Sequence, residues 1–280
     1  RVEQVIKRAQ AQYDKLHGEV LAAQTQLLAP QFVQRVIQFT SFTMMWLVRL
    51  GDDKHAHPMP MVALPLSQEP SELFRMLPEH MFEDVCDTIL FYARRKPDVL
   101  DESAKNSVVA FCTTFLSSGW WIRNPFLKAK LAEMLSYNVM PYGPYKSGVL
   151  GDTINSHPLA LQHLVPALIA FWIDAESTGS NSQFYDKFNI RYHLVQIFKE
   201  IWTNPDHKKH LYQQATQFPT EFTIFINRLM NDVTFLLDDA LDKLVELHAK
   251  QVEVEDRASW EERTAEERQE HEGIMRSIQG

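Results

Sequence analysis

Three carboxylates in one predicted helix are the first groups whose spacing could serve chemistry. Asp232, Asp239 and Asp242 recur at steps of seven and three, which places them on one helical face, with Asp238 adjacent. Paired carboxylates can act as general acid and general base. The alternative is a solvated or ion-paired face, and we favour it, because charged faces of long helices are ordinarily solvated or paired.

Two cations on another predicted helix offer partners for this acidic face. Lys187 and Arg191 lie one turn apart. We predict a structural ion-pair network in which they face Asp232, Asp239 and Asp242 and fix the register of the helices, although each exposed pair contributes only about 0 to 1 kcal/mol. We predict no catalytic, cofactor-binding or metal-binding residue, and no cofactor.

Histidines in a proline-rich stretch raise the question of a metal site. His55 and His57 stand close to Asp52 and Asp53, and these are ligand types that metals use. A third fixed ligand is missing from the pattern, so we interpret the stretch as a solvated polar loop. A metal site at His207 and His210, which are spaced i and i+3 in a short predicted helix, is discounted in the same way.

Other chemical signatures are weak. Cys86 and Cys112 lie within apolar helical patterns without CxxC spacing, which favours buried reduced thiols and a cytosolic or nuclear protein. The sequence contains no Gly-rich phosphate loop and no nucleophile elbow. The net charge of -8 argues against nucleic-acid binding, which needs a concentrated basic surface.

The elements that position these residues are predicted to be helices throughout. Apolar residues make up 45% of the chain and Gly only 9 of 280 residues, and the 14 Pro fall mostly between apolar runs. The dense apolar run at 32–50 contains Arg35 and is predicted to be a core helix, so we expect no membrane span. We predict an all-α armadillo/HEAT-like α-solenoid of about nine or ten helices. The helical-repeat core should cover 1–250, with long loops at 52–70 and 138–157 and a polar segment at 251–280.

Two helices carry apolar stripes that must be covered. The first has a heptad-like seam, which predicts either an amphipathic helix on its neighbours or a coiled coil. The stretch 181–202 carries a second stripe of large apolar residues. We expect this stripe to be buried in the core, which we favour, or to line a peptide groove. The seam is Ile6, Ala9, Tyr13, Leu16, Val20, Ala23 and Leu27, and the stripe is Phe184, Phe188, Tyr192, Val195, Phe198 and Trp202.

Several long strings resemble one family in the same order along the chain. They are Leu77-Pro78-Glu79 with Glu83-Asp84-Val85, Arg123 to Leu131 (RNPFLKAKL), His157-Pro158-Leu159 with Leu164-Val165-Pro166, Phe184 to Phe188 (FYDKF) with Ile190 to His193 (IRYH), and Asn231 to Asp238 (NDVTFLLD). In amino-acid sequence and in order along the chain, they resemble the core of the U-box ubiquitin-chain elongation factors. These are the ubiquitin conjugation factors of the ubiquitin-fusion-degradation pathway.

The resemblance implies a scaffold and partner-binding segment of a ubiquitin ligase. Such a ligase elongates chains on already modified substrates for proteasomal degradation. The implied partners are an AAA segregase and ubiquitin or ubiquitin-like shuttle proteins, in the cytoplasm and nucleus. The ubiquitin-conjugating enzyme would bind only through a U-box, which these 280 residues lack, so we expect the parent to be a ubiquitin transferase and this segment alone to be inactive. The alternative is a stand-alone helical-repeat adaptor without a role in ubiquitin transfer.

Overall fold

The chain is built from α-helices. A computed structural model describes residues 2–177, 183–255 and 264–279, and within these ranges it forms no β-strand beyond an isolated bridge between Tyr142 and Tyr145. The helices are α1 (Val2–Leu27), α2 (Pro30–Gly51), α3 (Glu72–Arg75), α4 (Glu79–Arg95), α5 (Glu102–Ser117), α6 (Pro125–Val139), α7 (Gly151–Ile154), α8 (Pro158–Asp174), α9 (Gln183–Ile201), α10 (Pro205–Gln217), α11 (Pro219–Glu255) and α12 (Ala265–Gln279). Short 3-10 turns occupy Pro97–Val99, Gly119–Trp121 and Ala175–Ser177. The predicted all-α class is confirmed.

The helices divide into two compact units. The first comprises Arg1–Phe222 and the second Thr223–Gly280, so α11 begins in one and continues through the other. The boundary at residue 250 rests on composition and stays a prediction.

The first unit stacks its long helices in two layers. Helices α2, α5, α8 and α10 pack in succession in one layer, and α4, α6 and α9 form the other. Contacts between α2 and α4, α5 and α6, and α8 and α9 join the layers in pairs. A helical-repeat fold has this arrangement, because each pair contacts its sequence neighbours and buries its inner face against them.

Short local signals begin several of these helices. The side chains of Asp101, Asn124 and Asn204 each accept a backbone N–H in the first turn of α5, α6 and α10. Pro follows both asparagines at the first helical position, where it has no hydrogen bond to lose.

The inward face of α9 differs from the predicted stripe. The buried apolar residues are Ile190, Leu194, Ile197 and Ile201, whereas Tyr192 is 52% exposed. Val195 and Trp202, also in the predicted stripe, are exposed, and the side chain of Phe184 lies outside the described residues. Both stripes have helical spacing, but residues two apart lie about 200° apart around a helix. The isoleucine and leucine stripe is buried, so the prediction for Tyr192, Val195 and Trp202 is wrong.

The seam of α1 is also exposed in the described chain. Ile6, Tyr13, Leu16 and Val20 are each about half exposed or more. The expectation that α1 lies on its neighbours through this seam is therefore wrong within residues 2–177, and the coiled-coil alternative stays open.

Both predicted loops are more buried than expected, and the second is also shorter. Helix α6 continues to Val139 and α7 occupies Gly151–Ile154 within the range 138–157. Leu150 and Ile154 are fully buried, and the Leu150 N–H donates to the Asn138 carbonyl at 3.0 Å. In the range 52–70, Val62 and Leu66 are buried. Both segments pack against the helices.

Candidate functional site

The proline-rich segment after α2 folds around a buried carboxylate. Asp52 is 7% exposed, and its carboxylate accepts the backbone N–H groups of Lys54, Ala56 and His57 at 3.2, 2.8 and 3.0 Å. His57 is buried as well, and its Nδ1 accepts the Val62 N–H at 3.3 Å. The prediction of a solvated loop is therefore wrong for Asp52 and His57, because these backbone donors hold both groups inward. His55 and Asp53 remain exposed.

Burial controls the ionisation of this cluster. It lowers the pKa of His57 despite the opposing charge of Asp52, and it lowers the pKa of His157 to about 4, with a smaller effect from His57. The Nδ1 of His157 accepts the Leu159 N–H at 3.2 Å and so caps α8. Burial alone would raise the pKa of Asp52, but its backbone donors and His57 outweigh burial and lower it. No set of three His, Cys, Asp or Glu side chains able to hold a metal occurs in the described ranges.

The other isolated groups are also built into the core. His207 is 1% exposed, its Nε2–H donates to the Ile154 carbonyl at 3.2 Å, and burial lowers its pKa. His210, one turn further along α10, is partly exposed. Cys86 and Cys112 are free buried thiols whose pKa values are raised by burial, which confirms the expectation of buried thiols without a disulfide.

The two cations of α9 converge on one carboxylate that the sequence analysis missed. An Nη2 of Arg191 lies 2.6 Å from a Glu176 oxygen, and the Lys187 ammonium lies 3.3 Å from the other oxygen. The Arg191 guanidinium stands 5.2 Å from the ring centre of Trp172 and donates to the Trp172 carbonyl at 3.4 Å. Burial raises the pKa of Glu176, but Arg191 and Lys187 outweigh burial and lower it.

The rest of the predicted ion-pair network stays a prediction. Asp232, Asp239 and Asp242 all belong to the second unit, whereas Lys187 and Arg191 belong to the first. Within the second unit, Asp232 is buried and Asp239 pairs with Lys243 at 3.1 Å.

A ladder of polar side chains joins helices α4, α6 and α9, which form the second of the two layers. Lys130 of α6 contacts Glu83 at 2.6 Å and Asp87 at 2.8 Å, both on α4. These carboxylates raise the pKa of Lys130 although burial opposes the rise. Further along the layer, Arg94 pairs with Glu133, and its guanidinium lies 4.6 Å from the Tyr137 ring.

The ladder reaches α9 at His193. The Tyr137 and His193 rings lie 5.8 Å apart, and the His193 Nδ1 lies 2.6 Å from the Ser136 hydroxyl oxygen. Burial lowers the pKa of His193. His193 is thus a hydrogen-bonded packing residue that links α9 to α6.

A further candidate site is an aromatic groove, defined here as the cavity between the strap 66–78 and the turn 118–124. Its volume is about 750 Å³, within the range of ligand-binding clefts. Phe74, Trp120 and Trp121 line it, and the Phe74 and Trp121 ring centres lie 4.8 Å apart in an edge-on arrangement. Trp120 is 38% exposed, whereas Trp121 is buried.

One carbonyl fixes the two indoles of the aromatic groove. The Nε1–H groups of Trp120 and Trp121 both donate to the Ser67 carbonyl at 2.8 Å, and the Leu66 N–H donates to the Ser118 hydroxyl at 2.9 Å. A Cβ at Gly51 would lie 2.9 Å from a methyl of Leu66, so α2 holds the strap from behind. The groove is therefore preorganised, which reduces the side-chain entropy that a ligand must overcome.

Two of the sequence strings meet at the aromatic groove. Glu79 of the first string accepts a hydrogen bond from the Asn124 side chain of the second, and Pro78 and Arg123 also line the groove. The sequence analysis quoted these strings but did not place them together. Two adjacent tryptophans outside any apolar stripe, at 120 and 121, were the signal that could have found the site.

Comparison with known proteins decides the family. A family model described as "Ubiquitin elongating factor core" matches residues 1–280. The chain belongs to this family. The resemblance of the sequence strings is therefore confirmed over the whole chain.

Curated relatives of this elongating factor core carry matching names. Ubiquitin conjugation factor E4 of Schizosaccharomyces pombe is 38% identical over 216 residues, covering 76% of this chain and 21% of the relative. A probable ubiquitin conjugation factor E4 of Arabidopsis thaliana is 32% identical over 99% of this chain and 26% of the relative. The E4 ubiquitin-protein ligase UFD2 of Saccharomyces cerevisiae is 30% identical over 92% of this chain and 29% of the relative. The chain thus spans between a fifth and a third of these relatives' length.

None of the helices in residues 2–177, 183–255 and 264–279 combines the length and hydropathy of a transmembrane segment.

Proposed function

We propose that this chain is the scaffold and partner-binding core of a U-box ubiquitin ligase that elongates ubiquitin chains on already modified substrates. The observation that carries the proposal is the family match over residues 1–280. The names of the relatives, ubiquitin conjugation factor E4 and E4 ubiquitin-protein ligase, support the ubiquitin part of it. The products are substrates for the proteasome, and the protein works in the cytoplasm and nucleus.

The proposed partners are an AAA segregase and ubiquitin or ubiquitin-like shuttle proteins. The conjugating enzyme binds the U-box of the parent protein, outside this segment. In this proposal the segment supplies binding surfaces at fixed spacing, and it supplies no group to the transfer reaction itself.

The stacked layers support a scaffold role. Helices α4, α6 and α9 are tied by charged pairs at Lys130 and Arg94 and by the hydrogen bond between Ser136 and His193. Packed repeats joined in this way resist sliding, because each pair must break before the register changes. A surface on one repeat therefore keeps its distance from a surface on the next.

Chain elongation measured with purified components tests the proposal. The assay uses a ubiquitin-fusion substrate, activating enzyme, conjugating enzyme and one of three proteins: this 280-residue chain, a U-box protein that contains it, or that protein without this segment. We expect elongation only with the intact U-box protein. Elongation by the isolated chain would contradict the scaffold role, and full elongation without the segment would favour the stand-alone adaptor.

A binding experiment tests the partners separately. The chain is immobilised and incubated with the segregase C-terminal tail, with ubiquitin and with a ubiquitin-like domain, each purified. We expect at least one of the three to bind. If none binds while the chain is folded by circular dichroism, this segment is not the partner-binding part of the ligase.

A further inference from the structure

The aromatic groove has the size and lining of a binding site for a short peptide. Its volume of about 750 Å³ can accept a few side chains, whereas a stable contact between folded domains needs on the order of 800 Å² of surface from each partner. Phe74 and Trp120 present apolar ring surface at the opening, since Phe74 is only half-buried and Trp120 is exposed. A ligand with one large apolar side chain would cover this surface.

Hydrogen bonding in the aromatic groove argues against a proline-rich ligand. Grooves that hold polyproline helices use aromatic side chains to clamp the ligand, and an indole N–H is the natural donor to a ligand carbonyl. Here both indole N–H groups already donate to the Ser67 carbonyl at 2.8 Å. The indoles therefore offer ring faces and edges to a ligand, and their donors are occupied.

Charge selects the second feature of the ligand. Four charged side chains line the groove, and three of them are already engaged: Arg75 pairs with Glu69 at 3.5 Å, and Glu79 accepts from Asn124. Arg123 is exposed and forms no ion pair with a carboxylate of the described residues. Arg123 is thus a lining cation without a carboxylate partner among the described residues, whereas the Glu79 carboxylate is held by the neutral amide of Asn124. A ligand carboxylate placed on Arg123 would complement this cation.

We propose that the aromatic groove binds a linear peptide of a separate partner protein, with one large apolar side chain seated between Phe74 and Trp120 and a nearby Asp or Glu on Arg123. The lining and the charge at Arg123 both point to this occupant. The site lies in the first unit and needs no group from elsewhere. The inference does not depend on ubiquitin, so its test is carried out without ubiquitin and its failure leaves the proposed function standing.

Selection from a library of random heptapeptides displayed on phage tests the proposal. The bait is the immobilised 280-residue chain. We expect enrichment of sequences that carry Phe, Trp, Leu or Met within two or three positions of Asp or Glu. No enrichment, or enrichment of proline-rich or basic sequences, would overturn the proposal.

Variants then locate the binding. A fluorescein-labelled peptide with the enriched sequence is titrated with each variant by fluorescence polarisation. We expect Trp120→Ala and Arg123→Glu each to weaken binding about tenfold or more, because truncated aromatic and Arg anchors dominate such interfaces. The controls Trp202→Ala and Arg35→Glu, at an exposed tryptophan and an exposed arginine outside the groove, should leave Kd unchanged.

The binding test remains conclusive even if one variant is unstable. Trp120→Ala removes a hydrogen bond to Ser67 and could loosen the strap, but Arg123→Glu changes only an exposed side chain. Equal Kd values for Arg123→Glu and the unaltered chain would exclude the carboxylate contact and contradict the proposal.

Discussion

Arg191 reaches Glu176 across 2.6 Å while its own side chain is only 3% exposed, whereas that of Glu176 is 41% exposed. The pair therefore joins a buried cation on α9 to a carboxylate at the protein surface, just before that helix. A charge in that position depends on its partner, because water cannot replace the carboxylate.

Glu176→Gln should destabilise the chain. The substitution removes the charge that offsets buried Arg191 and leaves a weaker amide acceptor. Breaking a fully buried pair costs about 3 to 5 kcal/mol, and the partial exposure of Glu176 reduces the expected loss to about 1 to 3 kcal/mol. Urea unfolding measures this loss of unfolding free energy. Glu69→Gln in the exposed pair with Arg75 is the matched control and should change the unfolding free energy by less than about 0.5 kcal/mol.

The predicted coupling between Arg191 and Asp239 is tested by a double-mutant cycle. Arg191→Glu should destabilise the chain, and Asp239→Arg in the same molecule should restore part of the lost free energy if the two side chains interact. Urea unfolding of both single variants and the double variant gives the coupling. Additive effects would show that Asp239, which pairs with Lys243 at 3.1 Å, does not interact with Arg191.

Stability should fall in acid partly because of His157. Burial lowers its pKa to about 4 in the folded chain, from a value near 6.5 when unfolded. The unfolded chain therefore binds the extra proton between about pH 6.5 and 4, so the stabilising contribution is full above pH 6.5 and is lost as the pH falls through that window. The contribution is about 3 kcal/mol.

His157→Asn should flatten this pH dependence. Asn keeps a side-chain oxygen for the Leu159 N–H but does not titrate, so urea midpoints measured from pH 7 to 4 should change less than in the unaltered chain. His80→Asn, at an exposed histidine, is the control and should leave the slope as it was. An unchanged slope in His157→Asn would mean that other groups cause the acid sensitivity.

The two faces of α9 should differ in their sensitivity to truncation. Leu194 is fully buried, and Leu194→Ala should cost about 2 to 5 kcal/mol through lost burial and the cavity left behind. Val195 is 43% exposed, and Val195→Ala should cost less than about 1 kcal/mol. Thermal or urea unfolding distinguishes them. A larger loss of stability for Val195→Ala than for Leu194→Ala would indicate that the aromatic stripe is the inward face.

Local signals in the sequence were sufficient to predict where several of the helices begin. The caps at Asp101 and Asn124 and the proline after Asn124 act within one turn, so the starts of α5 and α6 could be predicted without knowing the neighbours. The inward face of α9 could not, since Tyr192 and Leu194 both belong to stripes of helical spacing. Which stripe is buried depends on how α9 packs against α6, and periodicity carries no information about that neighbour.

The site was harder to predict because its parts are distant in sequence. Ser67 and Trp120 are 53 residues apart, and Glu79 and Asn124 are 45 residues apart. The partner of Arg191 was missed for a related reason: Glu176 lies outside the helical face on which the charge spacing was counted. The burial of His57 was not predicted, because proline-rich composition suggests exposure. In the structure, backbone donors to Asp52 hold the loop inward.

The Ser67 carbonyl, which accepts both indoles, makes the aromatic groove a joint product of two neighbouring repeats. Ser67 belongs to the connection that follows α2, and the tryptophans belong to the turn that follows α5. Neither helix pair can assemble the groove while the other is unfolded. A bound ligand would therefore raise the melting temperature of both repeats together, since binding stabilises whatever must be folded for it to occur. Occupancy of the groove would then indicate that both of these repeats are folded.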